Sequence, residues 1–177
     1  MSLIYITGIA GAGKSEVYKE LKGRGYEVYG TDEDQLAGFY NNQSGKRVEN
    51  PADVGKKITL AWRVNHTWKL PRSTIESLSN KSQGKTVFLC GVATNEEEFL
   101  DLFNKLFALV LDDETLHTRI TFRTNNTFGK NEGELEQIRD WQASTSEYYD
   151  KYDYIRIDAT KPVKKVIDEI LSQIQLR

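Results

Sequence analysis

The chain has 177 residues, 38% of them hydrophobic and 28% charged, which suits one soluble domain with a full core. Its formal net charge of −2 argues against a strongly basic nucleic-acid binder. Cys90 is the single cysteine, so no intramolecular disulfide forms; there is no membrane-spanning apolar run, and the first strand-like run begins at Leu3, so no signal or transit peptide is expected and the cytoplasm is the expected location.

The apolar run Leu3–Thr7 predicts the first strand. Gly8 to Ser15 then read GIAGAGKS, a full G-x-x-x-x-G-K-S phosphate-binding loop. Such a loop works because Gly8, Gly11 and Gly13, with the small Ala10 and Ala12, let backbone N–H groups curl around a phosphate. A helix predicted over Lys14–Lys22, ending at Gly23, points its positive end at the same anion. Lys14 is expected to reach the outer phosphates and the Ser15 hydroxyl to ligate Mg²⁺, with Glu16 beside them. The next strand, Tyr26–Gly30, runs into Gly30-Thr31-Asp32. Asp32 is a candidate to accept or orient a hydroxyl proton; alternatively it caps a short helix. Asp34 is a weaker candidate for the metal or the acceptor.

Gly38 to Leu70 is polar and aromatic-rich, and its pattern predicts no strand. Its end, WRVNHTWKLPR, gathers Trp62, Arg63, His66, Trp68 and Arg72. Aromatic faces with arginines hold a base, a sugar or an anionic metabolite, so Arg63 and Arg72 are candidate acceptor contacts. The same residues equally suit packing of the segment against the sheet. A helix is expected over Pro71–Ser79, then a strand over Thr86–Cys90 that ends in Gly91, a place for close approach of a ligand to backbone. Asn95 and Glu98 suggest a capping box opening a helix over Glu96–Phe103. The run Glu96-Glu97-Glu98 therefore reads as helix-start acids and not as a metal cluster.

Phe107–Leu111 is the fourth strand and Glu114–Arg123 the helix after it. Arg119 and Arg123 lie one turn apart on a common face, a planar-fork pair suited to a transferring phosphoryl group. Thr124 to Gly133 read TNNTFGKNEG, dense in turn formers, with Lys130 as a mobile charge and Gly129 and Gly133 as hinges. A long helix follows over Leu135–Tyr152, then the strand Tyr154–Ile157, the loop Asp158 to Pro162 and a last helix over Val163–Ile174. Alternation of strands and helices implies a parallel sheet covered on both faces, with ligands outside the carboxyl ends of the strands.

The order of these elements, the opening loop, the Gly-Thr-Asp after the second strand and the R-x-x-x-R before a turn-rich segment resemble the nucleoside-monophosphate-kinase-like branch of P-loop proteins, such as adenylate, shikimate and gluconate kinases. The form R-x-x-x-R-T-x-N-x-F-G-K is similar to that of a kinase-like subgroup of ATPases. The resemblance implies a three-layer α/β sandwich: a five-stranded parallel sheet in the order 2-3-1-4-5, a helical acceptor-binding insertion at about 33–82 and a short lid at about 123–133, all in one domain, 1–177. It implies ATP and Mg²⁺ as cofactors. Lys14, Asp32, Arg119 and Arg123 become the catalytic set, Asp32, Arg63, Arg72 and Gly91 the acceptor contacts, and Ser15 with Asp32 the metal ligands. Thr160 and Pro162 join the loop and Arg119 around the nucleotide. Shikimate kinases carry an acid where Gly30 stands, which leaves the second metal-holding carboxylate unassigned.

The expected activity is a small kinase that moves the γ-phosphoryl group to a hydroxyl or phosphate of a nucleotide, nucleoside or shikimate- or gluconate-like metabolite. The alternative is an ATPase or nucleotide-dependent switch acting on a protein or RNA partner. A small-molecule acceptor, no membrane, no nucleic acid and a monomer or homodimer are the expected partnerships.

Overall fold

The computed structural model describes residues 2–56, 58–124, 129–130 and 133–175. Five parallel strands form the central sheet: β1 (Ser2–Thr7), β2 (Glu27–Gly30), β6 (Thr86–Cys90), β7 (Lys105–Val110) and β8 (Ile155–Asp158). They lie side by side as β2-β6-β1-β7-β8, which is 2-3-1-4-5 when the parallel strands alone are counted. The order expected for the sheet is the order observed. β1 sits at the centre, with Ser2 to Ile6 in register with Thr86 to Cys90 on one side and Ile4 to Thr7 with Lys105 to Ala108 on the other.

Strand side chains alternate between two cores because the β period is two. Ile4 and Ile6 of β1 face one layer, where α1 (Lys14–Gly23) contributes Val17 and Leu21, α4 (Asp113–Phe122) Leu116 and Ile120, and α6 (Val163–Gln175) Val166, Ile167 and Ile170. Leu3 and Tyr5 face the other, against Ile75 and Leu78 of α3 (Arg72–Lys81) and the pair Phe99 and Leu100. The long helix α5 (Glu134–Lys151) serves both layers, with Ile138 in the first and Tyr149 in the second. Burial on both faces explains why these strands read as continuous apolar runs.

Two segments depart from the sequence expectation. The insertion contains helix, namely α2 (Leu60–Val64) and α3, as anticipated. It also contains a second sheet, β4-β3-β5, made of β3 (Gly38–Asn41), β4 (Arg47–Val48) and β5 (His66–Lys69), in a stretch where no strand was expected. These strands have only four, two and four residues, too short for alternation to register. Their pairing is antiparallel, and Phe39 faces Trp68 across it. Phe39 meets Trp62 and Trp68 edge-on, while His66 stacks on Trp62 at 4.1 Å. The aromatic residues of WRVNHTWKLPR are thus largely the insertion's own small core.

The helix expected over Glu96–Phe103 is two separate 3₁₀ turns, Glu96–Glu98 and Leu100–Leu102. Phe99, at the junction of the two turns, takes φ −145° and ψ 4°, outside the α-helical region, so the run cannot continue as one helix, and both Phe99 and Leu100 are buried. The capping box does not form either: Asn95 makes no cap hydrogen bond and holds the Leu70 backbone instead, accepting from its N–H and donating to its carbonyl, both at 3.0 Å. Among the described residues, no helix is long and apolar enough to cross a membrane.

Candidate active site

Between β1 and α1 the chain must turn sharply, and glycines make this turn possible. Gly11 and Gly13 take φ of 89° and 98°, in the left-handed region that L side chains avoid. Gly13 is the N-cap of α1, and no side chain caps the helix. The positive end of α1 therefore opens onto the loop. Lys14 folds back over this turn, its Nζ donating to the carbonyls of Gly8 at 2.6 Å and Ile9 at 3.0 Å. Burial pulls the ammonium below its usual range, while Asp32, Glu96 and Glu33 hold it up in that order and Arg123 pushes the other way. A half-buried cation with three carboxylates about it waits at the mouth of an anion cradle.

The loop opens on a cavity of about 1820 Å³ at the carboxyl ends of the strands. Thr7, the whole run Gly8 to Val17, Asp32, Arg63, Arg119 and Arg123 line it. The structure thus brings together every residue expected in the catalytic set and every loop residue expected at the nucleotide. Arg119 spans two walls: its guanidinium donates to Ala12 O at 3.4 Å and to Ala159 O at 2.6 Å, joining the phosphate-binding loop to the loop after β8. Arg123 is half-buried, with Glu134 the opposing charge; burial disfavours its charge, yet a guanidinium stays protonated.

Asp32 does not cap a helix, because residues 31–34 form a turn and not a helix. The turn's carboxylate anchor is Asp34, which accepts from Gly30 N at 2.7 Å and from Tyr18 Oη at 3.4 Å. Asp32 is left at the cavity rim with only a 3.5 Å contact from Thr31 Oγ1. Desolvation raises its carboxyl above the usual 3.8, against the pull of Lys14. Glu33 lies back across Gly30, where an added Cβ would sit 2.2 Å from its Oε2. The space beside the glycine is therefore filled by a carboxylate from three residues on.

Other expected contacts stand outside the cavity. Arg72 is committed elsewhere, making a two-pronged pair with Asp101 at 2.7 Å and further bonds to Glu76 and the Glu98 carbonyl. Gly91 is not part of the cavity wall; a Cβ there would sit 2.0 Å from Thr31 Oγ1, so the glycine admits Thr31. Its neighbours Val92 and Ala93 do line the cavity. Thr160 closes a local turn, with N and Oγ1 donating to Asp158 Oδ1 at 3.0 and 2.6 Å; the lining residues are Ala159 and Lys161 on either side of it, and Pro162 is likewise outside. Of the expected lid, residues 125–128 and 131–132 lie outside the described residues.

One functional candidate escaped the sequence reading. Glu96, taken for a helix-start acid, is buried, lines the cavity and accepts four hydrogen bonds. Three acids in a row look alike, and only the packing draws the first of them inward. Burial raises its carboxyl, and its hydrogen-bond donors oppose the rise. Cys90 is buried nearby, and burial pushes its thiol far up, so it is an inert packing residue.

Ser15 and Asp32 offer hard oxygen donors on the same cavity as Lys14, a set that suits Mg²⁺ completed by water and phosphate oxygens. Among the described residues no group of three His, Cys, Asp or Glu side chains is placed to hold a metal by itself.

With this geometry in view, the fold is that of the P-loop kinases of the nucleoside-monophosphate-kinase-like group. Shikimate kinase from Acinetobacter baumannii, solved with shikimate, superposes with a TM-score of 0.59 at 18% identity, covering 100% of this chain and 96% of that one. Deoxyadenosine kinase from M. mycoides with bound dATP gives 0.58 at 18% identity, covering 98% and 99%. A gluconokinase from Sinorhizobium meliloti 1021 gives 0.51 at 15% identity, covering 96% and 89%. No family model matches the sequence, and no curated protein matches it.

Proposed function

We propose that the protein is an ATP-dependent kinase for a small-molecule acceptor. The observation that carries this reading is the joint lining of one cavity by the phosphate-binding loop with Lys14, by Asp32 and by Arg119 and Arg123. A cavity of about 1820 Å³ is roughly twice what one ligand needs, which supports a nucleotide and an acceptor side by side. The structural neighbours are a shikimate kinase, a deoxyadenosine kinase and a gluconokinase, which favours a small-molecule acceptor.

In this reading the triphosphate lies in the loop, with its outer phosphates at Lys14 and the N-terminus of α1. Ser15 would ligate Mg²⁺ and Asp32 would hold it through one of the ion's waters, which leaves the Asp32 carboxylate able to take a proton; the ion would neutralise phosphate charge there. The acceptor oxygen attacks the γ-phosphorus, the bond to the β–γ bridging oxygen breaks, and ADP leaves. Asp32 takes the acceptor's proton; its raised carboxyl makes it a better base than an ordinary aspartate. Arg119 and Arg123 spread positive charge where the transferring group is most negative. Arg63 on α2 and the β6 loop face the acceptor.

The test is incubation of the protein with Mg²⁺·ATP and a panel of nucleosides, nucleotides, sugar acids and shikimate, followed by mass spectrometry. A product heavier by one phosphoryl group, absent with Lys14→Ala, is expected. ATP turnover with no phosphorylated member of the panel would turn the reading toward an ATPase.

A further inference from the structure

Among the described residues Glu96 is the one buried carboxylate. Tyr5 Oη donates to its Oε1 at 2.6 Å, Thr7 Oγ1 at 3.2 Å and Ala93 N at 3.3 Å; Tyr154 Oη donates to Oε2 at 3.1 Å. Thr7 is the residue immediately before the phosphate-binding loop. Ala93 belongs to the loop after β6, and that loop carries the insertion: Trp68 Nε1 donates to Val92 O at 3.0 Å, and Thr94 donates to Trp68 O through N at 2.9 Å and Oγ1 at 2.6 Å. A continuous polar line therefore runs from Thr7 through Glu96 and residues 92–94 to Trp68. It joins the two halves of the cavity.

A filler for this space has no need of a charge. Burying a carboxylate is expensive, and apolar residues of similar volume commonly replace buried ionic groups without loss of stability. What a carboxylate does that a leucine cannot is accept several hydrogen bonds at one atom, from different elements, and so fix their relative positions.

We propose that Glu96 is a positioning residue that couples the phosphate-binding loop to the acceptor wall, so that nucleotide binding at one orders the other. The inference rests on the nucleotide reading given above, but not on the identity of the acceptor. It predicts that filling the phosphate site tightens the loop at residues 91–95 and the strand at residues 66–70, which a nucleotide in the cradle does not need to touch.

The experiment is hydrogen–deuterium exchange of the full chain, with and without the β,γ-imido analogue of ATP plus Mg²⁺. In the wild type, protection is expected at residues 7–15 and also at 91–95 and 66–70. In Glu96→Gln, protection at 7–15 persists and the ligand-induced protection at 91–95 and 66–70 falls to less than about half. A purely structural Glu96 would raise exchange there equally with and without the analogue and leave the difference unchanged, which would overturn the proposal. Thr7→Val, which cuts one arm and keeps the shape, is expected to repeat the uncoupling and carries the test should Glu96→Gln not fold. Protection at 7–15 alone in the wild type would sink the coupling and spare the nucleotide site. No protection anywhere would sink both. With a phosphorylated acceptor in hand, Glu96→Gln is expected to raise its KM about tenfold, about the worth of one charge-assisted hydrogen bond, while the dissociation constant of the ATP analogue measured without acceptor stays within about twofold.

Discussion

In the proposed kinase, Lys14 is the residue on which nucleotide chemistry would turn. It sits between two pulls: the half-buried loop disfavours its charge, and Asp32, Glu96 and Glu33 favour it. Its net shift is downward from 10.5. The cation attracts the triphosphate and the neutral amine does not. Nucleotide affinity is therefore expected to be full at neutral pH and to fall as pH rises through the lowered value, earlier than an ordinary lysine would dictate. Titrating the dissociation constant of a non-hydrolysable ATP analogue between neutral and alkaline pH measures this; loss only above 10.5 would contradict the shift. Lys14→Ala should cut turnover by about 10²-fold or more, through loss of charge at the developing phosphoryl group. Asp32 makes a different prediction, because it stands at the rim and not in the cradle. Asp32→Asn keeps size and polarity but cannot take a proton. Analogue binding should change by no more than about threefold, while transfer to an acceptor falls about 10²- to 10⁴-fold. Equal losses in both measurements would assign Asp32 to binding alone.

At the level of elements, the phosphate-binding loop depends on Gly8 for a packing reason as much as a conformational one. A Cβ at Gly8 would stand 2.8 Å from Leu109 O and 3.0 Å from Ala12 Cβ, and φ is 154°. Neither neighbour can retreat, since one is the backbone of a central strand and the other the loop itself. Gly8→Ala is expected to cost roughly 1–3 kcal/mol and to misplace the cradle. Urea denaturation should show a lower midpoint, and analogue binding should weaken in the same variant; an unchanged midpoint would show that the loop relaxes. This element was legible in the sequence, because the glycine spacing and the flanking strand and helix are all local. The small sheet β4-β3-β5 was not legible. β3 and β5 pair across 25 to 31 residues, from Asn41 with His66 to Gly38 with Lys69, and no short window carries that information; β3 and β4 pair locally but over only two residues.

For the molecule as a whole, the cavity lies where the central sheet, the insertion and α5 meet, so its lining draws on most of the fold. A ligand that binds only the folded form at about 100 times its dissociation constant adds about 2.7 kcal/mol. For a chain of this size that corresponds to a rise of roughly 5–10 °C in Tm. Thermal denaturation with the ATP analogue and Mg²⁺ should show the rise, and Lys14→Ala should largely remove it. A shift equal in both proteins would place the ligand away from the cradle.

The sequence by itself determined the phosphate-binding loop and the alternation of strands and helices, through a glycine spacing and apolar runs that are local. The strand order 2-3-1-4-5 and the grouping of Asp32, Arg119 and Arg123 were what the resemblance carried by those motifs implied, and the order is the one observed. Tertiary structure alone decided which charged side chain turns inward. Glu96 and Glu97 are neighbours of one chemistry, yet the hydroxyls of Tyr5, Thr7 and Tyr154 converge on the first and leave the second in solvent. Arg72 stood beside the aromatic residues in sequence and was captured by Asp101, twenty-nine residues on. A charge goes where distant partners can satisfy it, and those partners meet only when the chain has folded.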